Sequence, residues 1–163
     1  MPHLAVDTEK IGLPTQGYPY RLMGVFGMLA AISGSRTAKS MATILIAEDY
    51  DDNRELLRIV LNAAGYEVHE ARNGAECVQI ARRNPPDLVM VDLSMPELDG
   101  WGVFRELKAD PTTAGIPCIA VTAHVDSDRQ RVLKSGFDAF VGKPFRTDEL
   151  LSTVEKLIQK PVA

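Results

Sequence analysis

Four apolar runs in this chain lead to polar residues that could do chemistry together. Val89-Met90-Val91 runs into Asp92, and Ile44-Leu45-Ile46-Ala47 runs into Glu48 and Asp49. Cys118-Ile119-Ala120-Val121 ends at Thr122, and Ala139-Phe140-Val141 leads to Lys143. Short runs of this kind read as buried strands. In open α/β sheets the functional crevice lies beyond the carboxyl ends of the strands. Three acids, one hydroxyl and one ammonium meeting there describe a site for a divalent cation and a phosphoryl group.

The segments between the runs have helical periodicity. The first helix is expected over Asp52 to Ala64, with Leu56, Leu57, Val60, Leu61 and Ala64 on its apolar face and Gly65 as its left-handed stop. Val68 and Ala71 alternate with Glu67, His69 and Glu70, the pattern of an edge strand with one wet face. Asn73 is placed to cap a second helix reaching about Arg83, where Pro85-Pro86 forbids continuation. Asp99 is placed to cap a third helix that buries Val103, Phe104 and Leu107. Asp126 is expected to cap a fourth, closed by Gly136, and Thr147 with Asp148 and Glu149 opens a fifth carrying Leu150, Leu151, Val154, Leu157 and Ile158. Strand and helix therefore alternate five times, with strands apolar along nearly their whole length. That predicts an α/β fold: a flavodoxin-like, doubly wound, five-stranded parallel sheet of order 2-1-3-4-5 with five helices. In that order the first and third strands are neighbours, which brings Asp49 beside Asp92 at the switch point.

The 163 residues suffice for one domain with a substantial core, and 45% hydrophobic with 25% charged content is ordinary for a globular chain. Four Lys/Arg and two Asp/Glu lie in residues 1–40, leaving 14 basic and 20 acidic residues, a net charge of −6, for residues 41–163. An acidic surface argues against direct nucleic-acid binding. Residues 1–40, rich in Gly, Pro, Ser and Thr and without sustained periodicity, are expected to form a mobile extension, with Met41 a candidate working start. The apolar stretch Leu22 to Ile32 is too short to span a bilayer, which needs about 20 residues. No membrane association is expected, and the two cysteines, Cys77 and Cys118, fit buried thiols of a cytoplasmic protein.

Residues from about Thr43 to Gln159 resemble the receiver domain of the two-component response-regulator family. The resemblance rests on Glu48-Asp49, on Asp92 within Val91-Asp92-Leu93-Ser94-Met95-Pro96-Glu97-Leu98-Asp99-Gly100, on Thr122-Ala123 and on Lys143-Pro144-Phe145. It implies that Asp92 accepts a phosphoryl group from a phosphohistidine of a histidine kinase or phosphotransfer protein, with Mg²⁺ present. By the same resemblance Asp49, Asp92 and the backbone carbonyl of Ser94 bind the ion directly, and Glu48, where many relatives carry Asp, acts through water. Lys143 and Thr122 would contact phosphoryl oxygens, Thr122 and Phe140 would form the switch, and the bond before Pro144 would be cis. A downstream protein would be engaged through the fourth and fifth helices and fifth strand.

Viewed alone, Glu48-Asp49 is also an ordinary solvated turn, Lys143 a surface lysine, and Phe140 or Trp101 plain packing. His69 reads as a solvated edge residue; His124 sits where it could handle water near the site. Two other functions deserve weighing. An aspartyl-phosphate phosphohydrolase of the haloacid-dehalogenase type would need a carboxylate two residues after the nucleophile, where this chain has Ser94. A receiver-like interaction module that is never phosphorylated would typically lack the acceptor, the acidic pair or the lysine, all of which are present. With only Pro161-Val162-Ala163 after Lys160, the expectation is a stand-alone receiver whose output passes through another protein or through a phosphoryl relay.

Overall fold

The computed structural model describes residues 41–159. The expected extension over residues 1–40 and the apolar stretch from Leu22 to Ile32 lie outside the described residues. The elements are β1 (Thr43–Ala47), α1 (Asp51–Ala63), β2 (Glu67–Ala71), α2 (Gly74–Arg83), β3 (Leu88–Asp92), α3 (Gly100–Ala109), β4 (Cys118–Thr122), α4 (Val125–Ser135), β5 (Ala139–Gly142) and α5 (Thr147–Ile158). All five strands are parallel, in the order β2-β1-β3-β4-β5.

Successive strand residues point to opposite faces, which divides the core in two. Ile44, Ile46, Leu88, Met90, Ile119 and Val121 pack against α1 and α5 through Leu57, Leu61, Leu150 and Val154. Leu45, Ala47, Val89, Val91, Cys118 and Ala120 pack against α2, α3 and α4 through Val78, Val103, Leu107 and Val132. Each fully buried Leu or Ile contributes roughly 1.5–3 kcal/mol of transfer free energy, so both layers weld the helices to the sheet.

Local signals act as expected at most helix ends. Asn73 Oδ1 accepts the Glu76 N–H at 2.8 Å and Asp99 Oδ1 accepts the Gly102 N–H at 2.7 Å. Gly65 and Gly136 adopt left-handed φ values of 88° and 97° at the ends of α1 and α4. Two expectations need correction. Asp126 does not cap α4: the cap position is His124, and the helix has already begun at Val125. Val125 seats on Gly142, where a Cβ would come within 2.4 Å of its Cγ2, and this contact fixes the helix start two residues early. Leu56 is not on the buried face of α1 but 47% exposed; Leu57, Val60 and Leu61 fill that face, and Arg54 is buried with them.

Candidate functional site

Strand register gathers the polar residues. Ala47 pairs with Val91, so Glu48 lies next to Asp92; Asp92 pairs with Val121, and Thr122 with Gly142, which precedes Lys143. Backbone bonds carry the ladder past the strand ends: the Glu48 N–H donates to Ala71 O at 3.1 Å, and the Lys143 N–H to Thr122 O at 2.7 Å. Gly100 lets α3 start against the Asp92 backbone, since a Cβ there would lie 2.4 Å from Asp92 O. The peptide bond between Lys143 and Pro144 is cis.

Asp92 is held at both oxygens. Oδ1 accepts the Ser94 N–H at 3.0 Å, and Oδ2 accepts from Lys143 Nζ at 2.9 Å. Lys143 Nζ also donates to Glu48 Oε2 at 2.6 Å, while the Tyr50 N–H donates to Glu48 Oε1 at 3.2 Å. The Glu48 and Asp92 side chains are only 1% and 5% exposed, beneath a lysine that keeps 18%. Burial pushes the Glu48 carboxyl above its ordinary pKa, and the Lys143 hydrogen bond opposes that rise without cancelling it. Burial also works against the charge on Lys143, but the hydrogen bonds to Glu48 and Asp92 outweigh it and raise its pKa.

Glu48, Asp49 and Asp92 each offer a carboxylate oxygen within 4.8 Å of the others. Asp49 Oδ1 is buried and is the one such side-chain atom among the described residues without a hydrogen-bond partner. An orphaned buried carboxylate oxygen is costly unless a cation completes it. The all-oxygen donor set fits a hard divalent ion.

Thr122 is fully buried, and its hydroxyl donates to Asp128 Oδ2 at 2.7 Å and accepts the His124 N–H at 2.9 Å. Phe140 is half-buried, with the Arg129 guanidinium 5.6 Å from its ring centroid. His69 lies on edge strand β2, 3.2 Å from Glu67. Cys77 and Cys118 are buried free thiols, each pushed up to about 12 by burial, and therefore unreactive. Trp101 packs edge-on against Phe137, with ring centroids 5.7 Å apart.

Two residues escaped the sequence reading. Arg54 donates from one terminal nitrogen to Glu48 O at 2.8 Å, bonds Asp51 with the other, and places Nε 3.4 Å from Glu70. It thereby ties down the loop carrying the acidic pair. Its position three residues after Asp51 was a hint, but a buried arginine is invisible to hydrophobic periodicity. Asp128 reads in the sequence only as an acid in the first turn of a helix.

Comparison with known proteins agrees with this geometry. Residues 44–155 match the family described as the response regulator receiver domain, well over half of the chain. The polar-differentiation response regulator DivK of Brucella anthropi is 35% identical over 117 residues, covering 71% of this chain and 95% of that protein. The receiver domain of the Pseudomonas aeruginosa sensor histidine kinase PA1611, solved with a magnesium ion coordinated in its active-site cleft, is 30% identical with a TM-score of 0.69. That match covers 74% of this chain and all of the other. The chemotaxis response regulator CheY4 of Vibrio cholerae is 25% identical with a TM-score of 0.68, covering 72% and 99% of the two chains. Among the described residues no helix is long and apolar enough to cross a membrane. Sequence match, strand order and the acidic cluster at the strand ends agree: the chain belongs to the response regulator receiver domain family.

Proposed function

We propose that this receiver accepts a phosphoryl group on Asp92 from a phosphohistidine of a histidine kinase or phosphotransfer protein, in the cytoplasm. The observation that carries this reading is the placement of Asp92 at the end of the central strand, within reach of both Lys143 and the Glu48–Asp49 pair. A carboxylate oxygen of Asp92 attacks phosphorus as the P–N bond breaks. The imidazole leaves with that electron pair, and the product is an acyl phosphate. A carboxylate is a weak nucleophile, so the donor must arrive activated and the domain supplies positioning and charge. Approach of the donor requires Lys143 to swing off the Asp92 oxygen, and the same ammonium then faces the equatorial phosphoryl oxygens. Attack by water at phosphorus later returns the carboxylate and releases inorganic phosphate, so the module catalyses its own modification and its reversal.

Asp49, Asp92 and the Ser94 carbonyl would hold Mg²⁺, with Glu48 acting through water. When bound, the ion would offset the clustered negative charge and offer a ligand position to a phosphoryl oxygen. Thr122 would donate its hydroxyl to the modified Asp92, and Phe140 would follow it inward. Modification then favours one of two pre-existing states, whose altered face of α4, β5 and α5 binds a protein target. Nucleic acid is not a direct partner on this reading. The test is incubation with acetyl phosphate: an intact-mass gain of one phosphoryl group that needs Mg²⁺ and disappears in Asp92→Asn supports it. Continuous phosphate release from unrelated esters would instead favour a phosphohydrolase, and no gain under any condition a phosphate-independent module.

A further inference from the structure

We propose that Asp128 is a resting-state latch: it holds the Thr122 proton, and the switch turns only when a phosphoryl group on Asp92 takes that proton's hydrogen bond away. The proposal rests on the reading of Asp92 as acceptor and Thr122 as its hydroxyl partner.

A threonine hydroxyl has one proton to donate. Here it is committed to Asp128 Oδ2 at 2.7 Å, a charge-assisted bond made by a fully buried hydroxyl. The hydroxyl's acceptor side is also occupied, by the His124 N–H at 2.9 Å. Thr122 therefore cannot reach toward Asp92 without giving up Asp128. No proton changes owner in this exchange; the Thr122 O–H simply turns from one anion to another.

The position of Asp128 makes the exchange consequential. Its own N–H donates to His124 O at 2.9 Å, so it belongs to the first turn of α4. The next residue, Arg129, lies over the Phe140 ring. One helical turn thus touches both residues expected to move. Val125 ties the start of this turn to β5 by seating on Gly142. Releasing Thr122 frees Asp128 to solvent, loosens that turn and lets Phe140 leave Arg129 and turn inward. Asp128 is accordingly a positioning residue that acts through Thr122.

The test uses beryllofluoride, a stable phosphoryl analogue, titrated at fixed Mg²⁺ into the full chain, with bound analogue read by fluorine-19 NMR. Asp128→Ala removes the competing acceptor and should lower the half-saturating concentration about tenfold, and Asp128→Asn, a weaker acceptor of the same size, about threefold. In a Thr122→Val background Asp128→Ala should change nothing, because the hydroxyl through which it acts is gone. A mere helix-terminus charge effect would persist in that background and would overturn the proposal, as would an unchanged half-saturation in both single variants. If the native chain binds no analogue, or Asp92→Asn binds it equally well, the receiver reading itself fails. Native binding lost in Asp92→Asn, beside an inert Asp128, overturns the latch alone.

Discussion

Replacing Lys143 by Met keeps most of the side chain's length and removes the ammonium that bridges Glu48 and Asp92. The two carboxylates, 1% and 5% exposed, would then share a crevice with no counter-charge in the absence of metal. Removing one partner of a buried ion pair costs about 3–5 kcal/mol. Because Lys143 itself keeps 18% of its side-chain surface, the lower end, about 3 kcal/mol, is expected. With a urea slope near 2 kcal/mol per molar, that moves the unfolding midpoint down by about 1.5 M at pH 8 in chelator. The pH dependence has a definite sign. A carboxyl whose folded pKa is raised, as burial does for Glu48 above its ordinary 4.5, stabilises the fold below that ordinary value, and the contribution is lost as pH rises through the folded value. Without Lys143 the Glu48 pKa climbs further, so the variant regains stability as pH falls from 8 toward 5. The native lysine's raised pKa makes its own contribution fully present below 10.5, hence constant across that window. Saturating Mg²⁺ should likewise narrow the gap. The assay is paired urea titration at pH 8 and pH 5, with and without Mg²⁺. A shift under about 0.5 M, or one indifferent to both pH and Mg²⁺, would mean that Lys143 does not hold these carboxylates.

Arg54→Met, which frees the Glu48 carbonyl and leaves Glu70 and Asp51 without their shared cation, should cost about 2 kcal/mol in urea unfolding and weaken Mg²⁺ binding by isothermal calorimetry. Glu97 holds a left-handed φ of 66° in the loop between β3 and α3, so Glu97→Gly should stabilise by about 1 kcal/mol, read as a higher thermal midpoint. Gly100→Ala would drive a Cβ to 2.4 Å from Asp92 O; it should destabilise by about 2–3 kcal/mol and slow phosphorylation by acetyl phosphate through displacement of β3's end.

Much of the fold was legible because its signals are local or periodic. Apolar runs ending on acids, a hydroxyl and a lysine marked both the strands and their functional ends, and parallel topology followed from alternation with helices. Asn73, Asp99, Gly65 and Gly136 identified helix ends because capping chemistry needs only a few neighbouring residues. What stayed hidden depends on contacts between distant segments. The start of α4 is fixed by Val125 seating on Gly142, so Asp126, a sound cap by composition, lost the position to packing. Leu56 is exposed and Arg54 buried, because the guanidinium finds Glu48, Asp51 and Glu70 within reach whereas periodicity counts only apolar side chains. At the site itself, residue types announced the chemistry, but not that the Thr122 hydroxyl is bonded to Asp128 or that both Glu48 oxygens are already engaged.

The most direct measurement is to locate the modified atom. Borohydride reduces an aspartyl phosphate to homoserine, a permanent mark that peptide mass spectrometry can place. After exposure to acetyl phosphate and Mg²⁺, homoserine should appear at position 92, at no other aspartate, and not when Mg²⁺ is chelated. Its appearance at Asp49 or elsewhere, or its absence from a protein that has gained a phosphoryl group, would contradict the assignment of Asp92 as acceptor.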